Sequence, residues 1–141
     1  CDMYEYPFGI KLPPYFDPMD VSLASDVIKK YPKVDYITCI NSLGNGLMVN
    51  WLTESAVIKP KNGIGGVGGD YCKPNGLANV AMFYREKPKF KIIGCGGVRE
   101  PSDVFEYILC GASGVQIGTH FYREGHGIFD RIKTIVPGFV S

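Results

Sequence analysis

The chain has 141 residues, of which 45% are hydrophobic and 21% charged, and its formal net charge at pH 7 is +1. A net charge this close to zero argues against nucleic acid or an anionic membrane surface as a required partner. No apolar run approaches the roughly 18 residues that a membrane span needs, and the N-terminal sequence CDMYEYPFG has neither the basic start nor the apolar core of a signal peptide.

The N-terminal part of the chain predicts two strands around one helix. The run PFGIKL (7–12) is a strand that stops at Pro13, because proline cannot donate to a ladder. Residues 19–30 carry apolar side chains at near-helical spacing and two lysines in the last turn, which indicates a helix. The β-branched and aromatic run VDYITCIN (34–41) is the second strand. A glycine-rich excursion follows at 44–73.

The rest of the chain alternates between helix and strand. Helices are predicted at 74–86, 100–111 and 127–136, and strands at 90–97 and 114–119. This alternation implies parallel strands joined by right-handed crossovers. The strands are near-continuous apolar runs, as expected when both faces of a parallel sheet are covered. Four such units fit either a small doubly wound sheet or half of an eight-stranded barrel.

Each predicted strand ends in a polar or glycine-rich feature. In chain order these features are Lys11, Asn41-Ser42, Gly96-Gly97 and Gly118-Thr119. In parallel α/β folds the carboxyl ends of the strands share one face, which is where ligands bind. The glycines after the last two strands expose backbone N–H groups close to a helix start, which favours a phosphate there. A phosphate-bearing cofactor anchored by these two loops is therefore expected.

The segment NGIGGVGGDY (62–71) is a second glycine cluster, with more glycines than turns alone require. Dense glycine allows the backbone to approach a flat ligand or a phosphate closely. The segment lacks the Gly-Lys-Ser/Thr of a P-loop, and no G-x-G-x-x-G opens a helix after a strand. Binding of the ATP or NAD type is therefore disfavoured.

The remaining reactive side chains predict packing rather than chemistry. Five cysteines at irregular spacing form no C-x-x-C pair and no zinc-type cluster, which favours a reducing cytosol and no metal site. We interpret His120 and His126 as surface or capping residues, and Asp103 and Glu106 as a solvated helix face. Tyr107 is expected to pack with a hydrated hydroxyl.

Several blocks of the chain resemble class 1A dihydroorotate dehydrogenase, in the same order and over nearly all 141 residues. The blocks are FGIKLPPYFD (8–17), INSLGNG (40–46), VIKPKNGIGGVGGDY (57–71), IIGCGGV (92–98) and GASGVQIGT (111–119). The Asn-Ser pair is similar to class 1A, since other classes more usually show Asn-Thr. The resemblance implies an α/β fold, a (β/α)8 TIM barrel that binds FMN, with about its last four β/α units, the C-terminal half, in residues 1–141.

The resemblance also implies an activity and roles for individual residues. The family oxidises (S)-dihydroorotate to orotate in de novo pyrimidine biosynthesis, uses fumarate as electron acceptor, and is a cytoplasmic homodimer. Asn41 and Ser42 would hydrogen-bond the pyrimidine, and Lys11 would lie beside the N1/C2 edge of the flavin, where a fixed cation stabilises developing negative charge. The other residues implied in FMN binding are Ile40, Lys61, Gly68 and Gly69, with Gly96, Gly97, Gly118 and Thr119 at the phosphate.

The chain also departs from the family pattern. The family's catalytic base is a cysteine on a loop well upstream of the GIKLPP strand, and Cys1 is too close to Lys11 to take that part. No catalytic residue is therefore predicted in this chain, and the chain alone is expected to be inactive. The segments at 50–56 and 119–127 contain more aromatic residues than the corresponding sequences more common in the family. Two alternatives stay open: an FMN-barrel module of the dihydropyrimidine dehydrogenase type, and a non-catalytic truncated fragment.

Overall fold

The computed structural model describes residues 6–134. Its strands are β1 (Phe8–Leu12), β2 (Val34–Cys39), β3 (Leu43–Leu47), β4 (Val49–Asn50), β5 (Ser55–Ala56), β6 (Ile64–Val67), β7 (Lys91–Cys95) and β8 (Gly114–Gln116). Its helices are α1 (Pro18–Lys29), α2 (Lys73–Arg85), α3 (Pro101–Leu109), α4 (Thr119–Glu124) and α5 (Gly127–Thr134), with 3-10 turns at Pro60–Gly63 and Gly69–Cys72. Within this range no helix is long and apolar enough to cross a bilayer.

The main sheet has four parallel strands in the order β1-β2-β7-β8, which is also their order along the chain. A doubly wound sheet reverses its strand order at a switch point. This sheet has no reversal, so its four β/α units follow one another as they do around a barrel. The order of the strands thus decides between the two architectures that the sequence left open.

The two faces of the sheet differ in what they contact. Side chains alternate between faces along a strand, and Ile37 and Ile92, which lie side by side in the register, are buried in the core. This face packs against α2 and α3, and α1 adds Val21 and Ile28 to the same core. Burial of one such aliphatic side chain stabilises the fold by about 1.5–3 kcal/mol. The register places Lys11 beside Thr38, so Lys11 belongs to the other face of the sheet.

The observed element ends differ from the predicted ones at the carboxyl side of the strands. The predicted strand at 114–119 stops at Gln116, and the short helix α4, which was not predicted, begins at Thr119. A helix of six residues is too short to show helical periodicity, and its apolar and β-branched residues continue the strand pattern. The predicted helix at 127–136 is α5, and its last two predicted residues lie outside the described range.

The glycine-rich excursion contains two antiparallel ribbons, β3 with β6 and β4 with β5. Their sequences, LGNGL, VN, SA and IGGV, are short or rich in glycine. Glycine is depleted in strands, so propensity alone did not reveal them. The ribbons start directly after β2 and therefore lie beyond the carboxyl ends of the main sheet.

Candidate functional site

A cavity of about 190 Å³ lies where the parallel strands of the main sheet end. Every residue that the sequence predicted for the site lines this cavity except Lys61. The lining residues that the sequence did not predict are Cys72, Cys95, Val98, Gln116 and His120. The cavity is smaller than the roughly 300 Å³ at which ligand pockets usually begin, so these walls enclose only part of a cofactor-sized ligand.

Asn41 and Ser42 are held at the wall by the neighbouring strands. The N–H of Ile40 donates to the Cys95 carbonyl at 3.0 Å, and the N–H of Asn41 donates to the Leu12 carbonyl at 2.8 Å. The Asn41 side-chain oxygen accepts from the N–H of Ser42 at 2.9 Å, which fixes the turn. Both side chains are exposed at the mouth of the cavity. Their amide and hydroxyl groups are therefore available to a polar ring.

Lys11 brings a positive charge to the cavity wall. Its Nζ lies 3.8 Å from the Sγ of Cys95, and among residues 6–134 no carboxylate lies within 4.0 Å of it. The cavity lining itself contains no aspartate or glutamate. A cation without a compensating carboxylate in a concave site favours an anionic or electron-rich ligand.

Three glycine-bearing loops form the rest of the wall. A Cβ added at Gly97 would lie 2.6 Å from the Cβ of Lys73 and 3.1 Å from the carbonyl of Gly69, so two of the loops are packed against each other. A Cβ at Gly118 would meet no protein atom within 4 Å, and one at Gly68 would meet only Thr119 Oγ1, at 3.9 Å. The space beside these two glycines is therefore free of other protein atoms.

Tyr107 supports one of these loops from the core. Its side chain is fully buried, and its hydroxyl donates to the carbonyl of Gly96 at 2.8 Å. Its ring leaves no room for a side chain at Gly94 or Gly76, where an added Cβ would lie 2.3 and 2.1 Å from tyrosine atoms. Burial raises the pKa of Tyr107 well above its ordinary value, so the hydroxyl is a neutral donor. The expectation of a hydrated hydroxyl is wrong.

Asp103 fixes the continuation of the same loop. Its carboxylate accepts from the N–H groups of Arg99 and Glu100, both at 2.7 Å, and forms an ion pair with Lys73. Burial by itself raises the pKa of Asp103, but the N–H of Glu100, the Lys73 ammonium and the N–H of Arg99 together hold it below its usual value. Asp103 is only 7% exposed, so its interpretation as a solvated residue is wrong. Glu106, which is half-exposed, is the second carboxylate partner of Lys73.

His120 is likewise not a surface residue. It is 5% exposed, it lines the cavity, and its Nε2 lies 3.0 Å from the Asp70 carboxylate. Two signals in the sequence were its place directly after Gly118-Thr119 and the acidic Glu124 four residues later, whose carboxylate lies 3.4 Å from Nδ1, whereas Asp70 is fifty residues away. His126, by contrast, is exposed and contacts the ring of Phe121.

Lys61 and the cysteines are the remaining residues about which the sequence made a prediction. Lys61 lies in the turn before β6 and not on the wall of the cavity. Burial raises the pKa of Cys39 to about 12, which suits a packing thiol, and also raises that of Cys72, whose thiol donates to the Gly69 carbonyl at 3.1 Å. Within the described range no three metal-binding side chains come together.

Larger grooves, of about 610 and 580 Å³, lie at the opposite end of the sheet. Both are lined by Lys87, Lys89 and Phe90, and the two lysines are exposed. Ligands of parallel α/β folds bind at the carboxyl ends of the strands. The smaller cavity, with its free backbone space and converging polar groups, is therefore the candidate site.

The strand order and the position of the cavity define the class of protein: four consecutive units of a (β/α)8 barrel with a ligand site at the carboxyl ends of its strands. The family model described as Dihydroorotate dehydrogenase matches residues 2–139, and the chain belongs to this family.

Curated relatives agree with this assignment, and a solved structure agrees with the fold. The chain is 50% identical, over 133 residues, to a protein of Lachancea kluyveri named dihydroorotate dehydrogenase (fumarate), covering 94% of this chain and 42% of that protein. It is 55% identical, over 131 residues, to a putative dihydroorotate dehydrogenase A (fumarate) of Streptococcus agalactiae, covering 92% and 41%. The crystal structure of DHODH from Eimeria tenella in complex with ferulenol has the same fold, with a TM-score of 0.70 at 21% identity, over 91% of this chain and 32% of that one. The chain therefore spans about two-fifths of the length of the curated relatives described here.

Proposed function

We propose that this chain provides the FMN site and part of the substrate site of an enzyme that oxidises (S)-dihydroorotate to orotate. Fumarate is the proposed electron acceptor and de novo pyrimidine biosynthesis the proposed pathway, since the relatives bear the name of the fumarate type. The observation that carries the proposal is the convergence of Lys11, Asn41 and Ser42 with three glycine-bearing loops on one cavity.

The residues of the cavity fit FMN in charge and in shape. The lining holds a lysine and a histidine and no carboxylate, which suits a ligand with a phosphate at one end. The free space beside Gly118 and Gly68 suits that phosphate and the ribityl chain. The proposed phosphate contacts are the backbone of Gly96, Gly97 and Gly118 together with Thr119. FMN, when bound, supplies the acceptor for the hydride that leaves the substrate.

The other residues are proposed to orient the substrate and the ring. Lys11 fixes a positive charge at one edge of the ring, where it stabilises negative charge without rearrangement. Asn41 and Ser42 hydrogen-bond the amide edge of the pyrimidine and hold it against the ring, which is the positioning that a hydride transfer requires. The backbone of Ile40 and Gly69 contacts the ring system, and Lys61 supports the glycine-rich loop. The base that accepts the substrate proton is not assigned to any residue of this chain.

We further propose that the protein is cytoplasmic and forms a homodimer through the ribbons of the excursion. Met48, Val49, Trp51 and Leu52 are all exposed, and Trp51 is 80% exposed. An apolar patch of this kind marks an interaction surface. The remaining strands of a complete barrel would pair with the edge strands β1 and β8 of the main sheet. The exposed apolar patch instead lies on the separate β4–β5 ribbon. A second copy of the protein is therefore its proposed occupant.

A hybrid enzyme tests the activity. Residues 2–139 replace the matching segment of the Lachancea kluyveri enzyme, and the visible spectrum of the purified hybrid reports its bound flavin. Dihydroorotate, added without oxygen, is expected to bleach the flavin, and Asn41→Ala is expected to slow the bleaching while leaving the flavin content unchanged. Dihydrouracil serves as the comparison substrate.

Three results would count against the proposal. A yellow hybrid that dihydroorotate does not bleach contradicts the substrate, and bleaching by dihydrouracil instead favours a module of the dihydropyrimidine dehydrogenase type. Turnover by the 141-residue chain alone contradicts the placement of the base outside it.

A further inference from the structure

A continuous series of ion pairs surrounds the glycine-loop side of the cavity. The carboxylate of Asp70 lies 3.0 Å from Nε2 of His120, and Nδ1 of the same ring lies 3.4 Å from a carboxylate oxygen of Glu124. The other carboxylate oxygen of Glu124 lies 2.9 Å from one guanidinium nitrogen of Arg131, and a second nitrogen of Arg131 lies 3.1 Å from the Glu100 carboxylate. We call these five side chains the ionic girdle.

The girdle connects the three loops that form the cavity. Asp70 directly follows Gly69, His120 follows Thr119, and Glu100 lies three residues after Gly97. Arg131, on α5, also donates to the carbonyl of Arg99 at 2.9 Å, in the same segment as Glu100. The loops are far apart in the sequence, so side-chain contacts of this kind help to fix their mutual spacing.

His120 is the central member of the girdle and its most buried one. Its side chain is 6% exposed, whereas those of Asp70 and Glu124 are 58% and 36% exposed. Each ring nitrogen of His120 faces its own carboxylate, and an N–H on a ring nitrogen donates to the carboxylate that it faces. Isolated surface ion pairs contribute little, but hydrogen bonds that share a buried member strengthen one another.

We propose that the ionic girdle, centred on His120, is a positioning device that makes the cavity prefer a flavin with a phosphate over the same flavin without one. The reasoning rests on the proposed FMN site. The loops at Gly96-Gly97 and Gly118-Thr119 meet the phosphate end of the ligand, while Lys11, Asn41 and Gly69 meet the ring end. Hydrogen bonds weaken steeply with distance and angle, so a change in loop spacing weakens the phosphate contacts and leaves the ring contacts in place.

Paired titrations with FMN and riboflavin test the proposal. The two ligands share the ring and differ in the phosphate, and quenching of flavin fluorescence gives the Kd of each for the 141-residue chain. His120→Ala is expected to weaken FMN binding about tenfold and riboflavin binding less than about twofold. His120→Gln, whose donors lie on a single amide nitrogen, is expected to fall between the wild type and His120→Ala. His126→Gln is the matched control, since His126 lies outside the cavity, and both affinities should stay unchanged.

Circular dichroism and urea midpoints of each variant separate loss of fold from loss of preference. Should His120→Ala fail to fold, Glu124→Gln replaces it, because Glu124 does not line the cavity and makes only one of the two contacts to the ring. An equal loss of affinity for FMN and riboflavin in a folded variant overturns the proposal, and so does unchanged FMN binding. Absence of FMN binding by the folded wild type instead overturns the proposed FMN site, and this proposal falls with it.

Discussion

Replacing Tyr107 with phenylalanine tests how the loop after β7 is held in place. The change removes one hydroxyl, which lies against Gly76, and keeps the ring that packs against Gly94. The hydroxyl is the donor to the carbonyl of Gly96 at 2.8 Å, and the side chain is completely buried. The variant therefore loses a hydrogen bond without gaining a cavity large enough to change the packing.

The expected cost follows from the loss of a hydrogen bond whose donor is fully buried and whose acceptor, Gly96, is half-buried. A typical hydrogen bond contributes about 1 kcal/mol net, and leaving a buried acceptor unsatisfied costs about 1–3 kcal/mol. We expect Tyr107→Phe to lower the free energy of unfolding by about 1–3 kcal/mol. For a urea m-value of about 2 kcal/mol per M this is a fall in the midpoint of about 1 M. Because Gly96 belongs to the proposed phosphate site, the affinity for FMN should fall as well.

Urea unfolding followed by circular dichroism measures the effect, and Tyr122→Phe is the control. Tyr122 is 92% exposed, so its variant should match the wild type. A change of less than about 0.3 kcal/mol for Tyr107→Phe, which is within the range of neutral surface substitutions, would refute the argument that this hydroxyl fixes the loop.

Three further predictions concern Asp103, Gly118 and the exposed apolar patch. Asp103→Asn should destabilise the fold at pH 7 by about 1–3 kcal/mol. Because the folded-state pKa of Asp103 is depressed, its stabilisation is present above the unfolded pKa of about 3.9 and is lost as the pH falls through the folded-state pKa. The urea midpoints of the wild type and the variant should therefore converge at low pH. A difference between the two urea midpoints that stays constant down to low pH contradicts this role of the Asp103 carboxylate. Gly118→Ala should leave the urea midpoint unchanged, since a Cβ there meets no protein atom within 4 Å. The same change should weaken FMN binding at least about tenfold, which is about 1.4 kcal/mol. Unchanged FMN affinity would place the ligand elsewhere. Trp51→Asp combined with Leu52→Asp should convert a dimer into a monomer in sedimentation velocity, and a persistent dimer would exclude this patch as the interface.

The sequence predicted those features of the fold that depend on local pattern. The alternation of apolar strands with amphipathic helices placed all four strands of the main sheet and four of the five helices near their observed positions. Lys11, Asn41 and the glycine pairs could be assigned to one site because each lies at or just beyond the carboxyl end of a strand, and these ends of parallel strands share a face. The alternation of side chains along the strands could also have predicted Cys95 as a lining residue, since it lies on the same face of the sheet as Lys11 and contacts it.

The features that escaped prediction depend on partners distant in the sequence. His120 is buried because Asp70, from the excursion, comes against it, and no local pattern indicates that contact. Tyr107 is buried because Gly76 and Gly94, from two other elements, leave space for its ring. The ribbons of the excursion are held by pairing across a long loop and not by the strand propensity of their glycine-rich sequences.

The most direct test of the FMN site is an amide NMR titration of the 141-residue chain with FMN. If the cavity at the carboxyl ends of the strands binds FMN, the largest saturable shifts should fall on Gly68, Gly69, Gly96, Gly97, Gly118 and Thr119. Residues at the opposite end of the sheet, such as Lys87 and Lys89, should stay unshifted. A folded spectrum that FMN leaves unchanged, or one in which the shifts cluster around Lys87 and Lys89, would contradict the account.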